Sequence, residues 1–227
     1  MRSPMPFGCL SLIIFAGVLL FPLFLANALL SALSKLGLSP GLALWVAAGI
    51  FLGGLVNIPV YRIHREQAIE YVHIRMFGLH RIIPVQPRQW GYTVIAINLG
   101  GAVIPIAVAL YELLRMAGRG PNALLAGISA IAINVIVSYL IARPVPNVGI
   151  AMPSLVPGIV AAVSGFLLLP SFAAPVAFAA GVLGPLLGAD LLHLRDVQKI
   201  TTGMASIGGA GTFDGIVISG LIATLLA

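Results

Sequence analysis

Two aspartates stand where an ionisable side chain is costly to keep. Asp190 ends the run Gly181-Val-Leu-Gly-Pro-Leu-Leu-Gly-Ala, and Asp214 follows Ser206-Ile-Gly-Gly-Ala-Gly-Thr-Phe. Both stretches are apolar and glycine-rich, and a carboxylate in such a membrane segment is a functional candidate by default. Two carboxylates that share one proton act as base and acid on a water molecule that attacks a peptide carbonyl, the chemistry of aspartic proteases. Asp214 alone suits a second chemistry: it can carry a proton or coordinate Na⁺ with backbone carbonyls of 206–211 and Thr212, in a site that alternates between two access states. Asp190 and His193, three residues apart, share one helical face, the geometry of a proton relay or part of a metal site. The structural alternative pairs Asp190 with Arg195 or Lys199 at the interface and makes Asp214 a helix cap that accepts from the N–H of residue 216 or 217.

These aspartates are costly because of what surrounds them. Of the 227 residues, 60% are hydrophobic and 8% charged, and the mean hydropathy is +1.11. A soluble globule of that composition would have to cover its outside with apolar side chains, so the reading is an all-α integral membrane protein. Cys9 is the only cysteine, which excludes a disulfide framework and a cysteine-based zinc site. Arg2, the apolar run after it and Ala26-Asn27-Ala28 imitate a secretory signal. The run exceeds the usual length of such a signal, so a first span is the better reading.

Apolar runs of membrane-crossing length predict seven spans, near 7–33, 40–60, 93–114, 121–142, 155–169, 172–192 and 204–227. The fifth is short and flanked by Pro153, Pro157 and Pro170, which suits a half-helix or a re-entrant segment. If all seven cross, the loops at 61–92, 143–154 and 193–202 share a side with the N-terminus. That side carries Arg2, Arg62, Arg65, Arg75, Arg81, Arg88, Arg143, Arg195 and Lys199, against Lys35, Arg115 and Arg119 opposite. The bias predicts a multi-pass protein of the prokaryotic plasma (inner) membrane with a cytoplasmic N-terminus. It also explains the net charge of +6 through anionic lipid headgroups, with no nucleic acid partner.

No linker or low-complexity tract divides the chain, so residues 1–227 read as a single domain with an amphipathic cytoplasmic loop at 61–92. Within that loop Tyr71–Met76 alternates in polarity, Phe77-Gly78 can turn the chain and Arg81–Val85 returns, a short hairpin pattern. Arg62, Arg65, Glu66 and Glu70 suit a salt-bridged helical extension of the second span. His64, His73 and His80 lie here too, but at spacings that match no tight metal-ligand motif, and Asp196 reads as a surface residue. Asn27, Asn57, Asn98 and Asn134 fall on four spans, where interhelical hydrogen bonding is their default role and lining a polar cavity the sharper one. Gly53–Pro59 and Gly100–Pro105 look alike, a faint hint of a repeat. Gly181, Gly184 and Gly188 read as notches for helix packing.

Lys35–Pro40, Asn57–Arg62, Gly101–Pro105, Pro144–Pro153, Leu187–Leu192 and Ser206–Gly215 together resemble the prokaryotic membrane-protein family DUF1614, a domain of unknown function. The resemblance runs nearly end to end and implies a multi-span protein without supplying an activity. Gly211-Thr-Phe-Asp214 is loosely similar to the Gly-x-Gly-Asp motif of intramembrane aspartyl proteases of the presenilin, signal-peptide-peptidase and prepilin-peptidase type. Phe213 stands where those enzymes have the second glycine, and Pro153-Ser-Leu155, which resembles their Pro-Ala-Leu element, lies upstream instead of downstream. The similarity is one of design.

The leading expectation is therefore hydrolysis by an Asp190/Asp214 pair facing the proline-rich 144–158 connection. Gly209, Gly211, Thr212, Phe213 and Pro153 are the residues expected to contact a substrate. Proton- or cation-coupled transport and a non-catalytic scaffold are the alternatives. A continuous last helix would set Asp214 about 15 Å deeper than Asp190, so the pairing requires an unwound or re-entrant segment within 206–211. No cofactor is expected: Gly209-x-Gly211 is an incomplete dinucleotide motif, and Asp214 would repel a phosphate. The expected partners are lipids, a membrane-embedded peptide or a small ion, and a second copy of the chain.

Overall fold

The computed structural model describes residues 7–64, 70–76, 79–85, 92–145, 149–194 and 204–227. In order they form α1 (Phe7–Lys35), α2 (Pro40–Gly53), β1 (Asn57–His64), β2 (Glu70–Met76), β3 (Leu79–Val85), β4 (Tyr92–Asn98), α3 (Ile104–Arg119), α4 (Pro121–Ile141), β5 (Arg143–Val145), β6 (Gly149–Ala151), α5 (Leu155–Leu168), α6 (Ala173–Pro185), β7 (Met204–Ile207) and α7 (Gly215–Leu226). A π-helical turn leads into α3 at Leu99–Val103 and another extends α6 at Leu186–Leu191.

The protein is mostly helical, and among the described residues three helices are long and apolar enough to cross a membrane: Leu99–Arg119, Pro121–Ile141 and Pro170–Leu191. The shorter apolar helices, Pro40–Gly53, Leu155–Leu168 and Gly215–Leu226, fall below that length, because 12 to 14 residues rise only about 18–21 Å. Three of the seven predicted spans are thus matched by helices of full crossing length among the described residues.

Three predicted spans are part strand. The second is helical only to Gly53 and continues as β1; the third begins as β4; the last begins as β7. Hydropathy cannot separate a short apolar strand from a helix. Local chemistry does: Val56, Ile58 and Val60 flank Pro59, while Thr93, Val94, Ile95 and Ile97 crowd β4 with branched side chains, which suit a pleated surface better than a helix. The helical extension of span two is overturned with them. Arg62 lies in β1, its guanidinium 5.2 Å from the Tyr92 ring centroid, and Glu70 opens β2, while Arg65 and Glu66 lie outside the described residues. The hairpin expected at 71–85 is present: β2 pairs antiparallel with β3, Tyr71 opposite Pro84 and Met76 opposite Leu79. Its turn residues, 77 and 78, are outside the described set.

Strands β1, β4 and β7 make one sheet in that order. β1 and β4 are antiparallel, with a bulge between Pro59 and Tyr61, whereas β4 and β7 are parallel, Val94 opposite Met204 and Ile97 opposite Ile207. Where these strands meet helices, glycines cross. A Cβ on Gly53 would lie 2.9 Å from the Gly100 nitrogen, one on Gly211 would lie 2.9 Å from the Gly54 Cα, and one on Gly101 would overlap the Gly208 carbonyl. The likeness of Gly53–Pro59 to Gly100–Pro105 reflects this mutual packing. One segment leaves a helix for a strand and the other does the reverse, so it is no structural repeat.

At the opposite end Lys35 Nζ donates to the Leu225 carbonyl (2.8 Å), Arg115 donates to the Leu36 carbonyl, and Arg119 lies 3.8 Å from the Phe172 ring centroid. Between the two ends runs α6, buried along almost its whole length. Gly184 abuts the Asn134 side chain and Gly181 the α7 backbone at Ser219, the notches the sequence suggests. Asn134 Nδ2 donates to the Ala180 carbonyl at 2.8 Å.

Candidate functional site

The site is built where α6 ends and α7 begins. Pro185 lies inside α6 and has no N–H for the helical ladder; immediately after it the backbone widens into the π-helical turn Leu186–Leu191 that carries Asp190. Such single wide turns re-aim side chains and recur at functional sites. Gly188, packed against Ser138 and the Val135 carbonyl of α4, holds the turn in place. His193 closes it: the ring is buried, Nδ1 lies 3.1 Å from the carbonyls of both Gly188 and Ala189, and the ring packs on Tyr139 at 4.8 Å. His193 Nδ1 is thus engaged by the helix end. Among the described residues no three acidic, histidine or cysteine side chains gather to hold a metal.

Asp214 arrives by a different route. β7 ends at Ile207, and Gly208 takes φ +70° to turn the chain, a conformation open to glycine at little cost. Gly211–Phe213 makes one 3₁₀ turn before Asp214 starts α7. The chain between Met204 and Asp214 is therefore not a continuous α-helix, the condition the pairing of the two aspartates required. Asp214 Oδ1 accepts from the Ile216 N–H at 3.0 Å and Oδ2 from the Ala210 N–H at 3.4 Å. The capping role is real, and it leaves the carboxylate facing a cavity.

Two cavities meet at the aspartates. The larger, about 350 Å³, is bounded by the run Met204–Ala210, by Ile95, by Gly149 and Ile150 of β6, and by Asp190, Leu194 and Asp214. The smaller, about 260 Å³, is bounded by Ile150–Met152, Ser154, Pro185, Ala189, Phe213 and Ile216, again with Asp190 and Asp214. Ile150, Asp190, Ala210 and Asp214 border both. Asp190 and Asp214 thus both stand in the boundary that the two chambers share.

Of the other residues expected at the site, Gly209 lines the larger cavity and Phe213, an exposed residue, the smaller. Gly211 and Thr212 are buried behind them and border neither; Gly211 packs on Gly54. Pro153 is exposed and is likewise outside both linings, although its neighbours Met152 and Ser154 face the smaller one. Arg195, Lys199 and Asp196 fall outside the described residues, and with them the surface pairing of Asp190.

The strand wall of the larger cavity was missed, whereas two of the asparagines expected to bond between elements, Asn57 and Asn98, do meet in a polar knot beside it. Asn98 is fully buried; its Nδ2 donates to the Gly54 carbonyl (2.8 Å) and to Asn57 Oδ1 (3.1 Å), and its Oδ1 accepts from the Gly101 N–H (2.7 Å). Ser206, in the cavity wall, donates its hydroxyl proton to the same Asn57 Oδ1 at 2.6 Å. The adjacency of Asn98 to Gly100-Gly101, and of Asn57 to Gly53-Gly54, was the available signal. Glu112 was also passed over. It is fully buried in α3 and salt-bridged to Arg115 at 2.8 Å, far from the aspartates and near the end marked by Leu36 and Phe172.

Fold and site define a class: a mostly helical, apolar protein in which broken helices and a small sheet enclose a two-chambered cavity bearing two carboxylates. The profile of DUF1614, described as a protein of unknown function, matches residues 51–226, and the chain belongs to that family. No curated protein and no solved structure matches it.

Proposed function

We propose that the protein is an intramembrane hydrolase of the aspartate-dyad type, with Asp190 and Asp214 as the catalytic pair. The observation that carries the reading is that two carboxylates from separate elements share the wall between two cavities. A peptide lying across that wall presents its carbonyl to both. One carboxylate takes a proton from water as the water oxygen bonds to the carbonyl carbon, while the other gives its proton to the carbonyl oxygen. Collapse breaks the C–N bond, and the proton taken from water passes to the departing amine. The gathering of connections at two ends of the bundle suits a multi-pass protein of the plasma membrane, with the sheet, the site and the N-terminus on the cytoplasmic side.

The test is cleavage of labelled membrane-spanning peptides by the purified protein in liposomes. Asp190→Asn and Asp214→Asn should each abolish cleavage; full cleavage by both single variants overturns the dyad. A second reading, proton- or cation-coupled transport, draws on the turn and 3₁₀ segment Gly208–Phe213 beside Asp214, since broken helices in membranes offer backbone groups to ions. It predicts a pH- or Na⁺-dependent flux lost chiefly in Asp214→Asn, and the absence of any such flux sinks it.

A further inference from the structure

We propose that β7 receives its substrate as an added strand: an extended segment of a membrane-embedded peptide pairs backbone to backbone along Met204–Ile207, with a side chain beyond it seated in the smaller cavity. The inference deepens the hydrolase reading and rests on it for the catalytic consequence, but its binding mode stands on separate observations.

The first is periodicity. Side chains of a strand alternate between its two faces, so a cavity lying over one face touches every second residue. The larger cavity is bordered by all four residues of β7, Met204 to Ile207, and by the turn that follows to Ala210; an unbroken run along the strand is the pattern of a cavity that reaches its edge, where backbone N–H and C=O groups point. Ile95, on the neighbouring strand, shows that the cavity also wraps onto one face.

The second is topology. Among the described residues β7 is the last strand of the order β1-β4-β7, so one edge is taken by β4 and no described strand pairs with the other, which borders the cavity. An unpaired edge templates a further strand, and strand addition draws affinity from main-chain hydrogen bonds and selectivity from pockets for alternate side chains. The free edge of β1 belongs to neither cavity and meets neither carboxylate.

The third is side-chain size. Ala205, Gly208, Gly209, Ala210 and Gly149 leave little between the cavity and the backbone, which lets a second backbone approach closely. From that edge the chain turns at Gly208 toward Asp214, so a strand added to β7 is carried past both aspartates into the smaller chamber. Met152, Phe213 and Ile216 there offer an apolar seat. The substrate class is accordingly an apolar segment able to unwind from helix to strand.

The probe is a Lys-flanked membrane-spanning peptide of roughly 20 residues with a central Gly-Val-Ala-Gly-Val tract, bound to the full chain carrying Asp190→Asn and Asp214→Asn in lipid nanodiscs. N-methylation of the tract removes its N–H donors. Losing two or more hydrogen bonds should weaken binding about tenfold or more, and ¹³C carbonyl labels in the unmethylated tract should report strand in the infrared amide band. Equal affinity for both peptides, a helical band in the bound tract, or no binding of the unmethylated peptide overturns strand addition. Cleavage by the unsubstituted protein together with methylation-insensitive binding would leave the hydrolase standing without the strand. Methylation-sensitive strand binding without cleavage would do the reverse.

Discussion

Replacing Asn98 by alanine should be among the most damaging single changes in this protein, and its cost follows from the partners the side chain holds. Truncation strands the Gly101 N–H, bonded now at 2.7 Å and buried, and the Gly54 carbonyl, bonded at 2.8 Å and half-buried. Each orphaned backbone group costs about 1–3 kcal/mol, and the lost amide leaves a void among glycines that cannot fill it. The two groups together cost about 2–6 kcal/mol, against a typical total stability of about 5–15 kcal/mol. Asn134→Ala is the control. It forfeits one bond, to the Ala180 carbonyl, and it removes an oxygen that has no partner among the described residues; its cost should be smaller by at least about 1 kcal/mol. Denaturant unfolding of the purified protein in detergent, followed by helical circular dichroism, measures both. If Asn98→Ala falls within about 1 kcal/mol of the unsubstituted protein, the knot does not hold the sheet to the helices and the account of how the cavity wall is positioned fails.

Asparagine caps helices as well as aspartate does, so Asp214→Asn should lose activity while unfolding within about 0.5 kcal/mol of the parent. Asp214→Ala should add a stability loss of about 0.5–2 kcal/mol, and equal unfolding midpoints for the two variants would refute the capping role. Gly101→Ala, whose Cβ would overlap the Gly208 carbonyl, should greatly reduce the yield of folded protein. Gly118→Ala, exposed in α3 with nothing within 4 Å of its Cβ, should stabilise by about 0.5–1 kcal/mol. A Gly101→Ala protein that folds and unfolds like the parent would rule out the glycine crossing.

What the sequence disclosed and what it hid divide on physical lines. The apolar character, the 71–85 hairpin, the packing role of Gly181 and Gly184 and the capping role of Asp214 were legible because each is a local property: composition, alternation, small residues on a helix face, an acidic residue before an apolar helix. The sheet was not. β4 and β7 are mostly apolar and lie within long apolar runs, so an isolated Asn98 or Ser206 does not interrupt the hydropathy of a span, and a parallel pairing across more than a hundred residues leaves no short-range trace. Glu112 stayed hidden for a related reason. A carboxylate three residues before Arg115 reads as an ordinary surface pair, and only the packing of α3 against its neighbours buries it.

Helix length has a consequence for the lipid. Pro170–Leu191 extends for 22 residues, about 33 Å, a good match to a hydrocarbon slab of about 30 Å. The helices packed on either side of it, α5 and α7, supply 14 and 12 residues, and near Asp190 their place is taken by strands and turns. A bilayer abutting so short a wall must thin or dimple to meet it. The depression would bring headgroups and water down to the carboxylates without any channel through the protein. Acyl-chain length, a property of the bilayer and not of the protein, would then become a control on the site.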